Sequence, residues 1–500
     1  MRHIIILLYA TLNEWYRKPL MRFHNGIGLF YVPGFNKLRN FNASARAYAE
    51  FIRAKKRVPA YRSFLKEKHF SRPSFSGLIA NIHEIPCTNK ENYINKFLIE
   101  ERCVNGFIPL KGVIIDESSG SSGTAVNWAR GHKERECNAR FIRFGLRTLL
   151  GKEPFFIINA FALGPWATGI NITMSCEPFS KLKSLGPDKA KIENTILQIG
   201  KLQKYIIMGY PPFLKSLADT AGINWKEYDI TMVFGGESMS EGMRTYLIEK
   251  GVRNVYSSFG ASDVELNIGA ENDFTISVRK LLFANEKLRK KIIKYGGALP
   301  MVFQFNPADF LIHCSDNGEL IVTVCRPDYI APKIRYNLHD KAQIVELKEL
   351  YAALRELNID TSALINFKTD LPLLLHYGRA DMTVSFFGSN ISPNDIQETL
   401  YKLPSLVSLV HSFCMHTEED NRGDKQFIIS MELQKNYSVD ILQTSNLQTD
   451  FFNELATINQ DFREAKRMVT VNKQMILIFY PFATGPFENI DNRIKAKYIR

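Results

Sequence analysis

Ser118-Ser119-Gly120-Ser121-Ser122-Gly123-Thr124 follows the apolar run Val113-Ile114-Ile115, so a strand empties into a loop of small side chains and bare amides. Glycines admit positive φ and let the backbone approach an anion closely, while hydroxyls and successive N–H groups supply donors without bulk. Such a loop can wrap a phosphate chain. Read by itself it is more often a flexible linker. No Lys-Ser or Lys-Thr follows Gly123, which excludes the P-loop of the common nucleoside triphosphatases, and the spacing is not a Rossmann fingerprint.

Four further segments follow in a fixed order: Phe234-Gly235-Gly236-Glu237, Ser258-Phe259-Gly260-Ala261-Ser262-Asp263, Arg335-Tyr336-Asn337-Leu338-His339-Asp340 and Gly378-Arg379-Ala380-Asp381. Together with the Ser/Gly loop they resemble the adenylate-forming superfamily of acyl-CoA synthetases and ligases. The stretch Gly388-Ser389-Asn390-Ile391-Ser392-Pro393-Asn394-Asp395-Ile396 is similar to the Gly-x-Asn-x-x-Pro-x-x-Ile pattern of the phenylacetate–coenzyme A ligase branch. The resemblance runs from about Arg53 to the C-terminus.

Composition sets the outer bounds. Five hundred residues, 45% hydrophobic and 23% charged, are ordinary for a soluble globular enzyme able to bury a large core. Seven cysteines stand without a Cys-x-x-Cys pair, which fits reduced thiols in a cytoplasmic protein and gives no zinc-finger spacing. The apolar run Ile4 to Ala10 is too short to span a bilayer and precedes Asn13 and Glu14, so it is expected to be a strand or helix packed on the body. Net charge is +13, yet residues 1–75 alone hold fifteen Lys/Arg against three acids, +12, and leave the other 425 nearly neutral. A cluster such as Lys55-Lys56-Arg57 suits an anionic surface or an acidic carrier protein, and suits equally a solvated helix face. Phe51, Tyr61 and Phe64 recur at spacings for an inner helix face rather than a base-stacking platform, so no nucleic acid is expected.

The pattern along the chain predicts an α/β protein. Residues 41–70 read as amphipathic helices broken near Pro59, and Pro86 to Glu91 as a loop whose cap opens the next helix. Short apolar runs at Phe155-Ile158, Tyr205-Met208 and Ile230-Val233 alternate with helical stretches, the helix Glu241 to Lys250 among them, which is parallel layering. Residues 301–335 turn β-rich and predict a smaller sheet or barrel. A compact α+β piece follows Gly378, with strands at Phe427-Leu433 and Met475-Phe479 around helices near 392–402 and 448–466. The expected division is 1–100, a basic helical lead-in packed on the main domain; 101–378, a large layered domain with a small β-rich subdomain; and 379–500, a mobile C-terminal domain.

The resemblance implies a chemistry that the residues can be asked to supply. A carboxylate attacks the α-phosphorus of ATP, pyrophosphate leaves, and the acyl-AMP passes its acyl group to coenzyme A. Positioning and electrostatics carry such a step. The family pattern assigns Ser118, Ser119, Gly120, Ser121, Ser122, Gly123 and Thr124 to the β- and γ-phosphates. Where the family often continues with Pro and then Lys or Thr, this chain has Ala125-Val126, a modest loss of phosphate attraction. Gly236, Glu237 and Ser238 would border the adenine; an ordinary strand-to-helix turn, with Glu237 favoured by the helix dipole, is the other reading. Phe259 would stack on the purine beside Gly260, Ser262 would meet phosphate and Asp263 would hold Mg²⁺, with Glu265 a second candidate. Such a carboxylate is otherwise a cap. Asp340 would accept from the ribose hydroxyls; Leu338-His339 replaces the family's Thr-Gly there, and His339 reads as incidental. Arg379 would reach ribose or phosphate, Asp381 would be the hinge, and Lys495, with Lys497 as fallback, would support the adenylation transition state. Arg379 and Asp381 could equally be a surface pair, and the basic tail a solvated one.

The expected activity is therefore an acid–thiol ligase using ATP, Mg²⁺ and coenzyme A on a carboxylic acid of aryl or arylacetic type. Phe161 and Trp166 are available for an apolar pocket, as they are for core packing. Two alternatives stand: an adenylate-forming ligase with an amine or cofactor as acceptor, and a non-catalytic nucleotide-binding relative.

Overall fold

The computed structural model describes residues 1–118, 126–164, 166–219, 222–295, 299–364, 369–379, 383–407, 409–420, 423–435, 437–439, 446–469 and 474–488. Its centre is an eleven-stranded mixed sheet. One half is parallel: Lys181–Ser184, Phe155–Asn159, Lys204–Gly209, Asp229–Phe234 and Asn254–Ala261 lie side by side in that order. Phe155–Asn159 is buried along its whole length, as a strand covered by helices on both faces must be. The other half is antiparallel and runs from Asn254–Ala261 through Glu265–Ala270, Met301–Gln304, Leu373–Arg379, Tyr336–Val345 and Glu319–Val324 to Phe310–Cys314. The β-rich stretch expected after residue 300 is thus the antiparallel half of the same sheet.

Local chemistry sets the helix ends that place the site. The helix Glu241–Lys250 begins where the Ser240 hydroxyl accepts the Met243 amide and ends at Gly251 in the left-handed region. Helix Pro393–Tyr401 opens with proline in its first turn behind a Ser392/Asp395 capping box. Before residue 100, Asn36–Arg57 and Pro59–Glu67 are the two helices that Pro59 separates, and Asn89 caps the short turn Lys90–Ile94. Tyr48, Phe51 and Phe64 from these helices share one apolar core with the sheet residues Phe259, Phe303 and Leu374.

Residues after 383 close a core of their own, from Val384 to Leu477. It is covered on one side by the sheet Val410–Glu419, Lys425–Leu433 and Met475–Tyr480, and on the other by helices Pro393–Tyr401, Leu447–Ile458 and Gln460–Met468. A small hairpin, Val384–Phe386 with Ser389–Ile391, packs Val384, Phe386 and Ile391 into the same core.

Candidate active site

A cavity of about 730 Å³ lies where the carboxyl ends of the parallel strands meet the C-terminal unit, the place where open α/β sheets bind ligands. Phe161, Trp166, Tyr210 and Phe234 contribute apolar wall, while Glu237, Asp263, Asp340 and Arg379 supply charge.

Glu237 lies in the turn after the strand Asp229–Phe234 but does not cap the next helix, since Ser240 does that. Its carboxylate instead crosses to the C-terminal unit: Oε1 accepts the Gly388 amide and Oε2 pairs with the Lys425 ammonium. Nearby, the Ser240 hydroxyl donates to Glu419 at 2.6 Å and Lys215 meets Asp424 at 2.7 Å. Gly236 and Gly388 both have positive φ and flank the Tyr210 ring, which a Cβ would meet at 2.8 Å from the first and 2.5 Å from the second. Only glycine fits there without strain.

Asp263 is buried at 6% exposure, its Oδ2 accepting the Tyr336 hydroxyl at 2.9 Å and lying 3.3 Å from the Lys90 ammonium. Burial alone would raise this carboxyl, but Lys90, the Tyr336 hydroxyl, Lys333 and Arg379 together hold it below the ordinary carboxylate range. A single charged carboxylate suits Mg²⁺, which takes one or two carboxylates and completes its shell with water and substrate phosphates. Glu265, the second candidate, is not part of this group: its Oε2 accepts from Arg326 and Tyr329 inside the sheet. Among the described residues no set of three metal-binding side chains converges.

Asp340 faces the cavity from the strand Tyr336–Val345, 3.1 Å from the His376 Nε2 and 3.5 Å from Arg379 Nη1. Arg379 also donates to the Leu338 carbonyl at 3.2 Å. His376 in turn lies against Phe259, with ring centroids 4.6 Å apart, and Phe259 stacks on Phe303 at 5.6 Å. The aromatic face, the histidine and the acid therefore form one file along the cavity. His339, one residue before Asp340, points the other way, toward Glu319 and Glu91.

Gly260 has a packing reason of its own: a Cβ would meet the Leu266 backbone at 2.2 Å. Ser262 lines the cavity, and its carbonyl accepts from Arg130, which ties this turn to the hairpin Val113–Ser118/Val126–Gly131. Ser118 ends the first strand of that hairpin with a buried hydroxyl that has no hydrogen-bond partner among the described residues. Ser119, Gly120, Ser121, Ser122, Gly123 and Thr124 of the Ser/Gly loop, Asp381, expected as the hinge, and Lys495 and Lys497, expected at the reacting oxygens, lie outside the described residues.

The site also holds residues that the sequence reading passed over. Lys90 reaches Asp263 because Thr88 is stitched to the strand from Tyr336: its amide donates to the Arg335 carbonyl at 3.0 Å and its carbonyl accepts from Asn337 at 2.8 Å. Lys333 is buried with its ammonium 3.7 Å above the Trp128 ring; burial, then Arg130 and Arg102, push it well below the ordinary lysine value against the pull of Asp263. The only signals were a lysine after the cap Asn89 and a lysine inside Pro332-Lys333-Ile334.

No protein-family model matches the chain, and no curated protein matches it by sequence. Solved structures do match. A 2-hydroxyisobutyryl-CoA ligase in complex with 2-HIB-AMP and CoA, in the thioesterification state, superposes with a TM-score of 0.62 at 13% identity, over 94% of this chain and 91% of that one. The same ligase in the postadenylation state with 2-HIB-AMP gives a TM-score of 0.52 at 14% identity, over 94% and 91%. The mixed eleven-stranded sheet, the separate C-terminal core and these superpositions agree: the chain has the fold of the adenylate-forming acyl-CoA ligases.

Proposed function

We propose that the protein activates a carboxylic acid with ATP as an acyl-AMP and passes the acyl group to the thiol of coenzyme A. The observation that carries this reading is the cavity itself, whose walls come from both folding units and whose charged groups face one another across about 730 Å³. Nucleotide would lie along the Phe259–His376–Asp340 file. Phe259 has Phe303 and His376 against its ring, so it would back the purine from behind His376 rather than stack on it, and the Asp340 carboxylate suits two vicinal hydroxyls, giving charge-assisted hydrogen bonds. Lys90 and Arg379 would lower the repulsion between a carboxylate and a triphosphate, with Mg²⁺ beside Asp263 supplying further charge neutralisation when bound. Lys495 would reach the reacting oxygens in the adenylation step, and Asp381 would be the pivot between steps. The apolar walls at Phe161, Trp166 and Tyr210 fit a hydrophobic acid, and we assign an aryl or arylacetic acid as substrate class.

Two half-reactions at one acyl site require two arrangements of the C-terminal wall. The better superposition on the thioesterification state, 0.62 against 0.52, supports reading the present arrangement as the thioester-forming one. The test is acid-dependent pyrophosphate release with aryl, fatty and amino acids, with and without coenzyme A. Aryl acids are expected to give pyrophosphate and, with coenzyme A, a thioester; release that depends on an amine instead of the thiol would move the acceptor, and no release with any acid would remove the ligase reading.

A further inference from the structure

The first helix, Arg2–Leu20, is mounted with its apolar side outward. Its inner face is His3, Ile6, Ala10, Asn13 and Arg17, and most of its fastening is polar. The His3 ring lies 2.6 Å from the Tyr48 hydroxyl, the Asn13 amide donates to Asn42 at 3.1 Å, Tyr9 donates to the same oxygen at 2.5 Å, and Arg17 forms a buried ion pair with Asp309. These bonds fix the rotation of the helix. They leave Ile4, Leu8, Leu12 and Trp15, spaced by four, four and three residues, in solvent at 60%, 60%, 64% and 79% exposure. The apolar exposure continues past the helix at Phe23, 67%, and Phe35, 53%. Residues spaced this way share one face of a helix, and soluble proteins ordinarily turn such a face inward.

Charge says what this face meets. Arg2 and Lys18 on the helix and Arg22 and Lys37 just beyond it are exposed, and although Arg17, Arg39 and Arg46 are buried in ion pairs, the first 75 residues still carry an excess of exposed basic groups over their three acids. A second copy of the chain would bring two such basic rims together, which like charges oppose. An anionic lipid surface supplies both an apolar layer for Leu8, Leu12 and Trp15 and negative headgroups for the rim. No helix among the described residues is long and apolar enough to cross a membrane, so the contact is one of lying in the interface. We infer that the outer face of Arg2–Leu20 docks the protein on bilayers containing anionic phospholipid.

The full chain should sediment with vesicles of phosphatidylcholine and phosphatidylglycerol in equal parts at low salt, and weakly with phosphatidylcholine alone. Added salt should weaken the binding, because the basic rim is screened. Leu8→Glu/Leu12→Glu should lose about tenfold or more in vesicle affinity while its thermal unfolding stays unchanged, since neither side chain packs in the core. Trp15 is far more exposed than Trp128 and Trp225, both 3%, so a blue shift of fluorescence on vesicle binding should vanish in Trp15→Phe. Three results would overturn the inference: no sedimentation at low salt, equal binding by the double glutamate variant, or a dimer in light scattering that the same variant dissociates.

Discussion

The two walls of the cavity are fastened differently. The wall on the main sheet ties its acids to groups of its own: Asp263 to Lys90 and Tyr336, Asp340 to His376 and Arg379. The wall after residue 383 reaches across instead, with Gly388 and Lys425 on Glu237, Glu419 on Ser240 and Asp424 on Lys215. Contacts inside one wall survive any movement of the other, whereas the crossing contacts would be exchanged in the movement proposed above. The acids at Asp263 and Asp340 are therefore suited to chemistry common to both steps, and Glu237 is suited to choosing between arrangements. Among the described residues the crossing ion pairs are partly buried, Glu237 almost wholly so, and exchanging them requires water or a new partner for the charges that part.

The comparison is broken most severely by removing the tail cation. Lys495→Ala should lower acid-dependent pyrophosphate release by about two to four powers of ten, the scale of a lost transition-state contact, while preformed acyl-AMP still yields thioester. If Lys497→Ala alone behaves so, the register at the tail is displaced by two residues. On the fixed wall, Asp340→Ala should cost about tenfold to a hundredfold in kcat/KM for ATP, as expected for a charge-assisted bond, and should impair both half-reactions; an effect on one alone would remove Asp340 from the shared nucleotide role. On the crossing wall, Gly388→Ala places a Cβ 2.5 Å from the Tyr210 ring at φ +83, so it should slow thioester formation about tenfold and leave pyrophosphate release within about twofold. Rates measured separately for each step decide this.

The smallest effect is on stability and lies away from the cavity. Burial, with Arg335 and His83 nearby, lowers the His313 imidazole from 6.5 to about 4. A folded-state value below the unfolded one means that this contribution is intact above pH 6.5 and is lost as pH falls toward 4. His313→Phe should flatten the acid limb of the stability curve by roughly 1 to 3 kcal/mol without changing either half-reaction. Denaturant titrations between pH 4 and pH 7 follow it directly; an unchanged slope would mean that His313 is solvated.

Much of the fold was legible in the chain because its signals are local. Apolar runs of strand length, the break at Pro59 and the cap in the loop Pro86 to Glu91 all act within a few residues. The site was legible at the positions a family pattern marks, and Phe259, Asp263, Asp340 and Arg379 do meet at one cavity. What stayed hidden depends on partners distant in sequence. Lys90 finds Asp263 through the pairing of Thr88 with the strand from Tyr336, and His376 reads as one polar residue after Leu373-Leu374-Leu375 until the sheet sets it beside Asp340. The first helix does pack on the body as its apolar run suggests, through Ile6 and Ala10, but which side turns inward is set by the distant partners Asn42 and Asp309.

If the proposed cavity serves two steps by exchanging its crossing wall, locking that wall should stop one step and spare the other. Ser240 and Glu419 touch across it at 2.6 Å, so Ser240→Cys/Glu419→Cys can be joined by a short reducible thiol linker. The locked protein should convert preformed acyl-AMP to thioester but release no pyrophosphate from ATP and acid, with release restored on reduction and unaffected in either single variant. Pyrophosphate release at the unlocked rate while the link is intact would contradict it.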